Sequence, residues 1–375
     1  MAPRILIFTA DLGEGHDLPA RVLAEGLAAR EPDAVIEILD VLAAAGPQVQ
    51  KPVRAACERS VGPHWRRYEV EYWLNVGWGP SARVLEAVGA RLAARGVARA
   101  VNDVRPDVIV TTYPGANPIL THLRGAGKIA DVPIVSAISD LSALRYWAQP
   151  GVDVHLIIHE ESAPEVRRFA GPDTEIVHVQ GLTRSVFAEP CDAQDARRLL
   201  DLPAEGGVVT VSGGGWGVGD LDGAVAAAVE AGAAAVLVLC GRNVAVANRL
   251  RARFVAEPVV RVLGFTDQMS EVLAASDVLI HSTAGLTALE AQIRGAHVIS
   301  YGWGVAHLRA NNRAYEEFGL AQVAHDHDAL RAALRRALAA PRPPWQPTYA
   351  ALPSAAGVVL GLLGDRDVPV PAVAA

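Results

Sequence analysis

The sequence predicts an α/β protein built from two doubly wound halves, each with a parallel sheet. Short apolar runs alternate along the chain with longer alanine- and leucine-rich segments of helical period, which is the pattern of parallel sheets covered by helices on both faces. A glycine-rich turn also follows the first predicted strand of each half. The chain has 375 residues, of which 51% are hydrophobic, so it can supply the cores of two ordinary domains.

The predicted strands are apolar runs that are too short to be helices. In the first half they are 4–9, 35–40, 108–112, 133–139, 154–159 and 174–179. In the second half they are 207–212, 235–240, 259–263, 278–281 and 297–301. Helical spacing of apolar residues predicts helices at 17–29, 81–102, 221–231, 244–254, 268–275, 287–294, 309–318 and 328–339.

Prolines and charged residues interrupt this alternation near 189–205, which is typical of a linker between domains. We therefore expect an N-terminal domain at 1–188 and a C-terminal domain at 189–345. The tail at 367–375 is rich in proline, valine and alanine and is expected to be flexible.

Composition excludes several classes of function. A net charge of −7 disfavours nucleic acid as a partner. Cys57, Cys191 and Cys240 are widely spaced, so they predict neither a disulfide framework nor a zinc site and favour a reducing cytosol. The first apolar run ends at Asp11, too early for a signal peptide. We expect a cytoplasmic protein without a bound metal.

The glycine-rich turns lie where ligands bind in open α/β sheets, beyond the carboxyl ends of the strands. Gly13, Gly15 and His16 follow the first strand, and 212–219 follows the first strand of the second half. A tight strand-to-helix turn needs glycine in any case, so either loop taken singly fits a purely structural role equally well. Leu18 occupies the place of the third glycine of the dinucleotide fingerprint, which disfavours NAD.

The turn after His281 has the composition of an anion site. Ser282, Thr283 and Thr287 supply hydroxyl groups where a helix begins, and the unpaired amides and positive end of such a helix attract phosphate. Glu290 lies one turn inside, within reach of a diol on the same ligand. A diphosphate joined to a ribose fits this pattern without a metal. An ordinary serine or threonine cap, with Glu290 in a solvated capping network, is the alternative.

Four segments of the second half follow one another in a specific order. They are 211–219 (Val-Ser-Gly-Gly-Gly-Trp-Gly-Val-Gly), 239–243 (Leu-Cys-Gly-Arg-Asn), 263–269 (Leu-Gly-Phe-Thr-Asp-Gln-Met) and 282–291 (Ser-Thr-Ala-Gly-Leu-Thr-Ala-Leu-Glu-Ala). This series resembles the donor-binding half of the monogalactosyldiacylglycerol synthases and the bacterial processive diacylglycerol glucosyltransferases. These enzymes are grouped with the lipid-linked N-acetylglucosamine transferase of peptidoglycan synthesis.

The first half resembles the same family. The matching segments are Gly13-x-Gly15-His16, 105–107 with 111–114, and Ser139-Asp140 followed by Trp147 and Asp153. The resemblance covers roughly the whole chain. It implies a GT-B fold: two facing Rossmann-like domains with an interdomain cleft, the nucleotide sugar held by the C-terminal domain and the acceptor by the N-terminal one. It also implies a last helix, within 346–366, that crosses back to the N-terminal domain.

The resemblance implies which residues form the donor site. Its residues are Gly213, Gly214, Gly215, Arg242, Phe265, Thr283, Gly285, Thr287, Glu290, His307 and Asn311. The glycines would line the pyrophosphate, with Arg242 bringing positive charge near it. Phe265 would lie in the loop that receives uracil, Thr283, Gly285 and Thr287 would cradle the diphosphate, and Glu290 would bind the ribose hydroxyls.

Two departures from the family concern the donor. Ser282 and Thr283 stand where relatives have a lysine followed by proline or alanine, and His307 and Leu308 replace a glutamine and glutamate expected to hold the sugar. An aliphatic side chain cannot accept those hydrogen bonds. The usual galactose or glucose is therefore not assumed. A deoxygenated or N-acetylated sugar and a less active relative are both left open.

The family inverts the anomeric carbon in one displacement, which requires a base. His16 is the first candidate because imidazole titrates near working pH. Asp140 is the second candidate, either as the base or as a group that orients His16. The alternatives are helix capping by His16 near Asp17 and N-capping of a short helix by Asp140.

The acceptor side is predicted from a basic and aromatic segment. The segment from Lys51 to Arg105 contains ten basic and five acidic residues. It also contains the aromatic residues Trp65, Tyr68, Tyr72, Trp73 and Trp78. Such a surface suits an anionic membrane. A helical subdomain packed by these aromatics, or a site for a soluble hydrophobic aglycone, fits equally. Gly13, Gly15 and Trp147 complete the predicted acceptor side.

We therefore predict an inverting, metal-independent hexosyltransferase that uses a UDP-sugar as co-substrate and no other cofactor. The acceptor is a hydroxyl of a diacylglycerol-like lipid or another hydrophobic molecule, and the enzyme is cytoplasmic and peripheral on the inner face of the cell membrane. The alternatives are a natural-product glycosyltransferase, a nucleotide-sugar 2-epimerase or hydrolase, and a degenerate sugar-nucleotide-binding protein.

Overall fold

A computed structural model describes residues 2–61, 65–74, 79–129, 131–180, 182–282, 285–302 and 306–364. The chain divides into two compact units. The first runs to Arg184 and resumes at Leu352, and the second is Ser185–Ala351. The domain limits drawn from the sequence stay predictions.

The first unit contains a six-stranded parallel sheet with the strand order β2-β1-β3-β4-β5-β6. Its strands are β1 Arg4–Thr9, β2 Val35–Asp40, β3 Val108–Thr111, β4 Ile134–Ala137, β5 Val154–Ile157 and β6 Glu175–His178. Every residue of β3, β4 and β5 is buried, as expected when helices cover both faces of a sheet.

Seven helices accompany these strands within the described part of residues 2–184. They are α1 Glu14–Arg30, α2 Val41–Ala45, α3 Pro47–Val61, α4 Trp65–Tyr72, α5 Gly79–Val104, α6 Ala116–Gly125 and α7 Ala163–Ala170. Helix α1 begins three residues earlier than predicted, at Glu14, directly after its N-cap residue Gly13, whose φ of 104° favours glycine. Helices α2, α3, α4, α6 and α7 were not predicted.

The second unit contains another six-stranded parallel sheet, with the order β12-β11-β10-β7-β8-β9. The strands are β7 Val208–Ser212, β8 Ala235–Leu239, β9 Val260–Leu263, β10 Val278–His281, β11 His297–Tyr301 and β12 Gln322–Ala324. The helices are α8 Ala193–Leu199, α9 Leu221–Glu230, α10 Val244–Arg253, α11 Met269–Ala275, α12 Leu286–Ile293, α13 His307–Glu317, α14 His327–Ala339 and α15 Pro347–Ala351.

The last helix, α16 (Ala355–Gly361), packs against α1 in the first unit. Gln180 holds the chain that leads into it. Its backbone amide donates to Pro353 O at 2.9 Å, its side-chain amide donates to Leu352 O at 2.8 Å, and its carbonyl accepts from Ala355 N at 2.8 Å. Among the described helices, none is long and apolar enough to cross a membrane.

Candidate active site

In the second unit, three neighbouring strands end at one edge of the sheet. His281 at the end of β10 pairs in register with Ser212 of β7 and with Ser300 of β11. Because the strands are parallel, the turns that follow them begin side by side. The predicted donor residues at 213–215, 285–290 and 307–311 lie on those turns or on the helices that they open.

The glycine-rich loop after β7 is packed backbone against backbone. A Cβ on Gly213 would lie 2.7 Å from the backbone of Gly217 and Val218, and Gly214 has a φ of 65°. Gly241, with a φ of 55°, lies against the carbonyl oxygens of Gly214 and Gly215. These glycines are therefore required by the loop's own packing. Their predicted contact with a pyrophosphate stays a prediction.

Ser282 differs from the expectation that its hydroxyl would face an anion. The side chain is buried, and its Oγ donates to Val218 O at 2.6 Å, with Ser212 O at 3.3 Å. Its single proton is therefore directed at the loop after β7. Ser282 ties the end of β10 to that loop.

Helix α12 begins beside this loop without a side-chain cap from the described residues. Gly285 is its N-cap residue, with a φ of 109° that favours glycine. Unpaired amides at such an end, together with the helix dipole, form an anion site. Thr287 is half-buried, and Glu290 is buried. Thr283 lies outside the described residues.

Arg242 and Phe265 form a stacked pair near the ends of β8 and β9. The guanidinium carbon lies 4.0 Å from the centroid of the ring, a favourable cation–π distance. Both side chains are exposed. The backbone amide of Arg242 donates to Gly215 O at 2.9 Å, which links the pair to the glycine-rich loop.

Helix α13 begins at His307, two residues earlier than predicted. Leu308 is buried, and Asn311 is buried with its Nδ2 donating to His307 O at 3.1 Å. Asn312, which the sequence analysis did not single out, accepts a hydrogen bond from Ser300 Oγ at 2.7 Å and ties α13 to β11. Ala306 is the N-cap residue and has a φ of 52°.

In the first unit, His16 lies in the first turn of α1. Its Nδ1 is 3.0 Å from Thr112 O. A carbonyl can only accept, so Nδ1 carries the proton and Nε2 is the basic nitrogen of the neutral ring. The ring meets Tyr113 edge-on at 5.1 Å between centroids and lies 6.0 Å from the ring of Trp147. Gly13, not His16, is the N-cap residue of α1.

Asp140 follows β4 and accepts a hydrogen bond from Trp147 Nε1 at 2.8 Å. The short helix expected after it is a 3-10 turn at Leu144–Tyr146, whose N-cap residue is Ala143. Asp140 is therefore not the cap of that turn. Trp147 is buried and contacts both predicted catalytic residues.

The predicted aromatic surface is only partly exposed. Tyr68 and Tyr72 are half-buried, with ring centroids 6.2 Å apart, and burial raises the pKa of both phenols. Trp73 is 55% exposed. The side chain of Trp65 and the whole of Trp78 lie outside the described residues.

A second exposed surface was missed. Helix α5 presents Val84, Val88 and Leu92 at exposures of 63%, 47% and 49%. We call the outward side of this helix the arginine–aliphatic face of α5; its members are Arg83, Val84, Leu85, Val88, Arg91, Leu92 and Arg95, all exposed. The signal that could have found it is the spacing of four between the apolar residues 84, 88 and 92.

Comparison with known proteins shows which families have similar sequences. Residues 61–183 match the family model of monogalactosyldiacylglycerol (MGDG) synthase. The chain is 28% identical over 259 residues to monogalactosyldiacylglycerol synthase 1 of Arabidopsis thaliana, which covers 65% of this chain and 48% of that protein. It is 22% identical over 330 residues to the processive diacylglycerol beta-glucosyltransferase of Bacillus subtilis, covering 87% and 85%.

The predicted resemblance to the MGDG synthase family is confirmed. The chain spans about half the length of the first plant MGDG synthases that it matches.

Solved structures establish the fold. The glycosyltransferase SnogD from Streptomyces nogalater has a TM-score of 0.54 and 17% identity, covering 97% of this chain and 99% of that one. UGT89C1 of Arabidopsis thaliana, crystallised with UDP, has a TM-score of 0.55 and 16% identity, covering 89% and 90%. The predicted α/β fold of the GT-B class is confirmed.

A metal site is not evident in what the structure describes: no three His, Cys, Asp or Glu side chains are grouped there as ligands. Metal independence stays a prediction.

Proposed function

We propose that this MGDG synthase relative is an inverting glycosyltransferase that moves a sugar from a UDP-sugar to a hydroxyl of a lipid or other hydrophobic acceptor. The observation that carries the proposal is the start of α12. Its amides, which no described side chain caps, the glycine-rich loop that Ser282 ties beside it and the buried Glu290 lie at one sheet edge. Amides suit a diphosphate, and a carboxylate suits the ribose diol.

The first unit supplies the base. In the proposed step the acceptor oxygen attacks the anomeric carbon and its proton passes to His16 Nε2. The bond from that carbon to the diphosphate oxygen breaks, and UDP leaves. A positioned base and pre-oriented amides both lower the barrier of such a displacement.

The donor sugar is proposed to lack one of the hydroxyls of galactose and glucose, or to carry an N-acetyl group. Leu308 supports this proposal. It stands where relatives hold sugar hydroxyls, and it is buried, so it offers an apolar contact and no hydrogen bond.

The acceptor is proposed to come from an anionic membrane surface on the cytoplasmic side. The arginine–aliphatic face of α5 supports this, since it combines exposed aliphatic residues with arginines and the nearest acid on the helix, Glu86, pairs with Arg145 at 3.2 Å. Aliphatic side chains suit the acyl boundary, and arginines suit anionic headgroups.

The test is mass spectrometry of products formed from a panel of UDP-sugars with a total lipid extract. We expect a glycosylated lipid with wild-type protein and at least about 100-fold slower formation of it with His16→Gln. Transfer only to soluble aglycones would replace the lipid acceptor. UDP release or an epimer without acceptor would indicate a hydrolase or epimerase, and UDP binding without any product would indicate a binding protein.

A further inference from the structure

A buried polar network in the sheet of the first unit contacts the backbone of Trp147. Asn117, the second residue of α6, is fully buried. Its Oδ1 accepts a hydrogen bond from Thr111 Oγ1 at 2.7 Å, and its Nδ2 donates to Ser136 Oγ at 3.1 Å. Thr111 and Ser136 are register partners on β3 and β4. One side-chain amide therefore spans two neighbouring strands.

The same amide holds the turn at Leu144–Tyr146. Asn117 Nδ2 lies 3.2 Å from Tyr146 O and 3.1 Å from Trp147 O, and Ser136 Oγ donates to Trp147 O at 3.0 Å. The chain enters this turn through Ala143, whose φ of 66° is disfavoured for alanine. The network thus holds a conformation that the local sequence does not favour.

Both candidate catalytic side chains are placed by neighbours of this network. Trp147 Nε1 donates to Asp140, and the Trp147 ring lies 6.0 Å from the His16 ring. Thr112, which follows Thr111, supplies the carbonyl that binds His16 Nδ1. A shift of the turn would therefore move Trp147 relative to both of them.

We propose that Asn117 is a positioning residue, which fixes the indole of Trp147 between Asp140 and His16; its effect on catalysis rests on the proposed glycosyl transfer. Burying an amide is costly unless its hydrogen bonds are made, and the bonds named here satisfy both ends of it. An apolar residue could fill the same volume, but it could not form hydrogen bonds with the carbonyl oxygens of Tyr146 and Trp147 and so hold them in place.

The first test measures the environment of the Trp147 indole by NMR and does not depend on enzymatic activity. The full chain is labelled with ¹⁵N-tryptophan, and the indole N–H resonance of Trp147 is assigned by its loss in Trp147→Phe. We expect Asn117→Ala to shift this resonance and to speed its exchange with solvent. Thr121→Val, on the same helix and bonded only locally to Pro118 O, should leave it in place. An unchanged resonance in Asn117→Ala overturns the proposal.

The second test reads catalysis. We expect Asn117→Ala to lower kcat by about 10- to 100-fold, the scale of a small misplacement of reacting groups, with KM for the UDP-sugar unchanged. Thr111→Val should give an intermediate loss, and Thr111→Ser should restore the rate. If Asn117→Ala unfolds at the assay temperature, Ser136→Ala, which removes one bond to Trp147 O, takes its place.

A double variant decides whether the effect passes through Trp147. Asn117→Ala with Trp147→Phe should lose no more than Trp147→Phe alone, because the two residues act in series. Losses that multiply would overturn the proposal. A wild-type protein that transfers no sugar would overturn the proposed function, while the resonance test still decides the position of Trp147.

Discussion

The bond from His16 Nδ1 to Thr112 O decides which nitrogen of that ring is basic. It selects the tautomer with its lone pair on Nε2. Asp140 is engaged with Trp147 instead. We therefore predict that His16 is the base and that Asp140 acts through the indole.

Replacing His16 by glutamine tests this assignment. Glutamine is polar but has no basic nitrogen, so turnover should fall by about 10²–10⁴-fold, the usual contribution of a general base. UDP affinity should be unchanged, since the proposed donor site lies in the other unit. Steady-state kinetics and calorimetry check both; wild-type turnover would move the base role to Asp140.

Glu290→Ala tests the donor site. We expect UDP binding to weaken by about 1–3 kcal/mol, the scale of hydrogen bonds lost to a charged group, measured by calorimetry. Thermal unfolding is followed in parallel because Glu290 is buried. Glu317→Gln, at the exposed end of α13, is the control. Full affinity in Glu290→Ala would remove the ribose assignment.

Replacing Gly15 tests the acceptor side, because it distinguishes an effect on acceptor binding from an effect on the stability of the fold. A Cβ at Gly15 meets no atom within 4 Å, so alanine fits there without a clash, and alanine favours the helical conformation more than glycine does. Gly15→Ala should therefore raise thermal stability while lowering kcat/KM for the acceptor. Gly89→Ala in α5, also open, should raise stability alone. Equal activity of both variants would contradict contact between Gly15 and the acceptor.

At the scale of elements, burial explains which parts the sequence could predict. Strands such as β3 and β4 are buried along their whole length, so their apolar runs stand out. Helix α3 has Pro52 inside it, and α4 is only eight residues long, so neither offers a long uninterrupted run of helix-favouring residues. The three-residue β12 is too short to have a period.

Side-chain partners were harder to predict than elements. The bond between Trp147 and Asp140 depends on the turn between them, and Ser282 meets Val218 across 64 residues. No local spacing encodes either contact. The glycines of 213–219 were predicted correctly as a turn, while the packing that demands them, against Gly241, required the structure.

The arginine–aliphatic face of α5 predicts membrane binding. Liposomes with anionic lipid should retain the wild-type protein in a salt-sensitive way, because counter-ions screen each arginine. Val88→Glu with Leu92→Glu should abolish retention. Val255→Glu, at an 84% exposed position in the second unit, is the matched control and should be retained. Retention of the double variant would move the docking surface elsewhere.

At the scale of the whole molecule, buried histidines predict acid lability. Burial lowers the pKa of His155 in the first unit and of His281 in the second to about 4. The unfolded chain, with a histidine pKa of about 6.5, therefore binds more protons between these values. The free energy that these neutral histidines contribute to folding is fully present above about pH 6.5 and is lost progressively as the pH falls toward 4.

Urea unfolding at pH 7.5 and pH 5.0 measures this loss. Each such histidine should remove about 2 kcal/mol at pH 5.0. His155→Gln should shrink the difference between the two pH values, although it also loses the contact with Thr174. His325→Gln, at the surface beside Glu316, should not shrink the difference. The same pH dependence in both variants would contradict the assignment.

Gln180 forms hydrogen bonds with Leu352, Pro353 and Ala355, and these bonds join two separate stretches of chain into the first unit. The first unit is complete only when Leu352 and the helix after it have returned to it, so the second unit is an insertion within the first. During synthesis the second unit can therefore close before the first is finished. Truncation of the chain after residue 351 should therefore leave the second unit folded and destabilise the first unit, although the first unit is synthesised earlier.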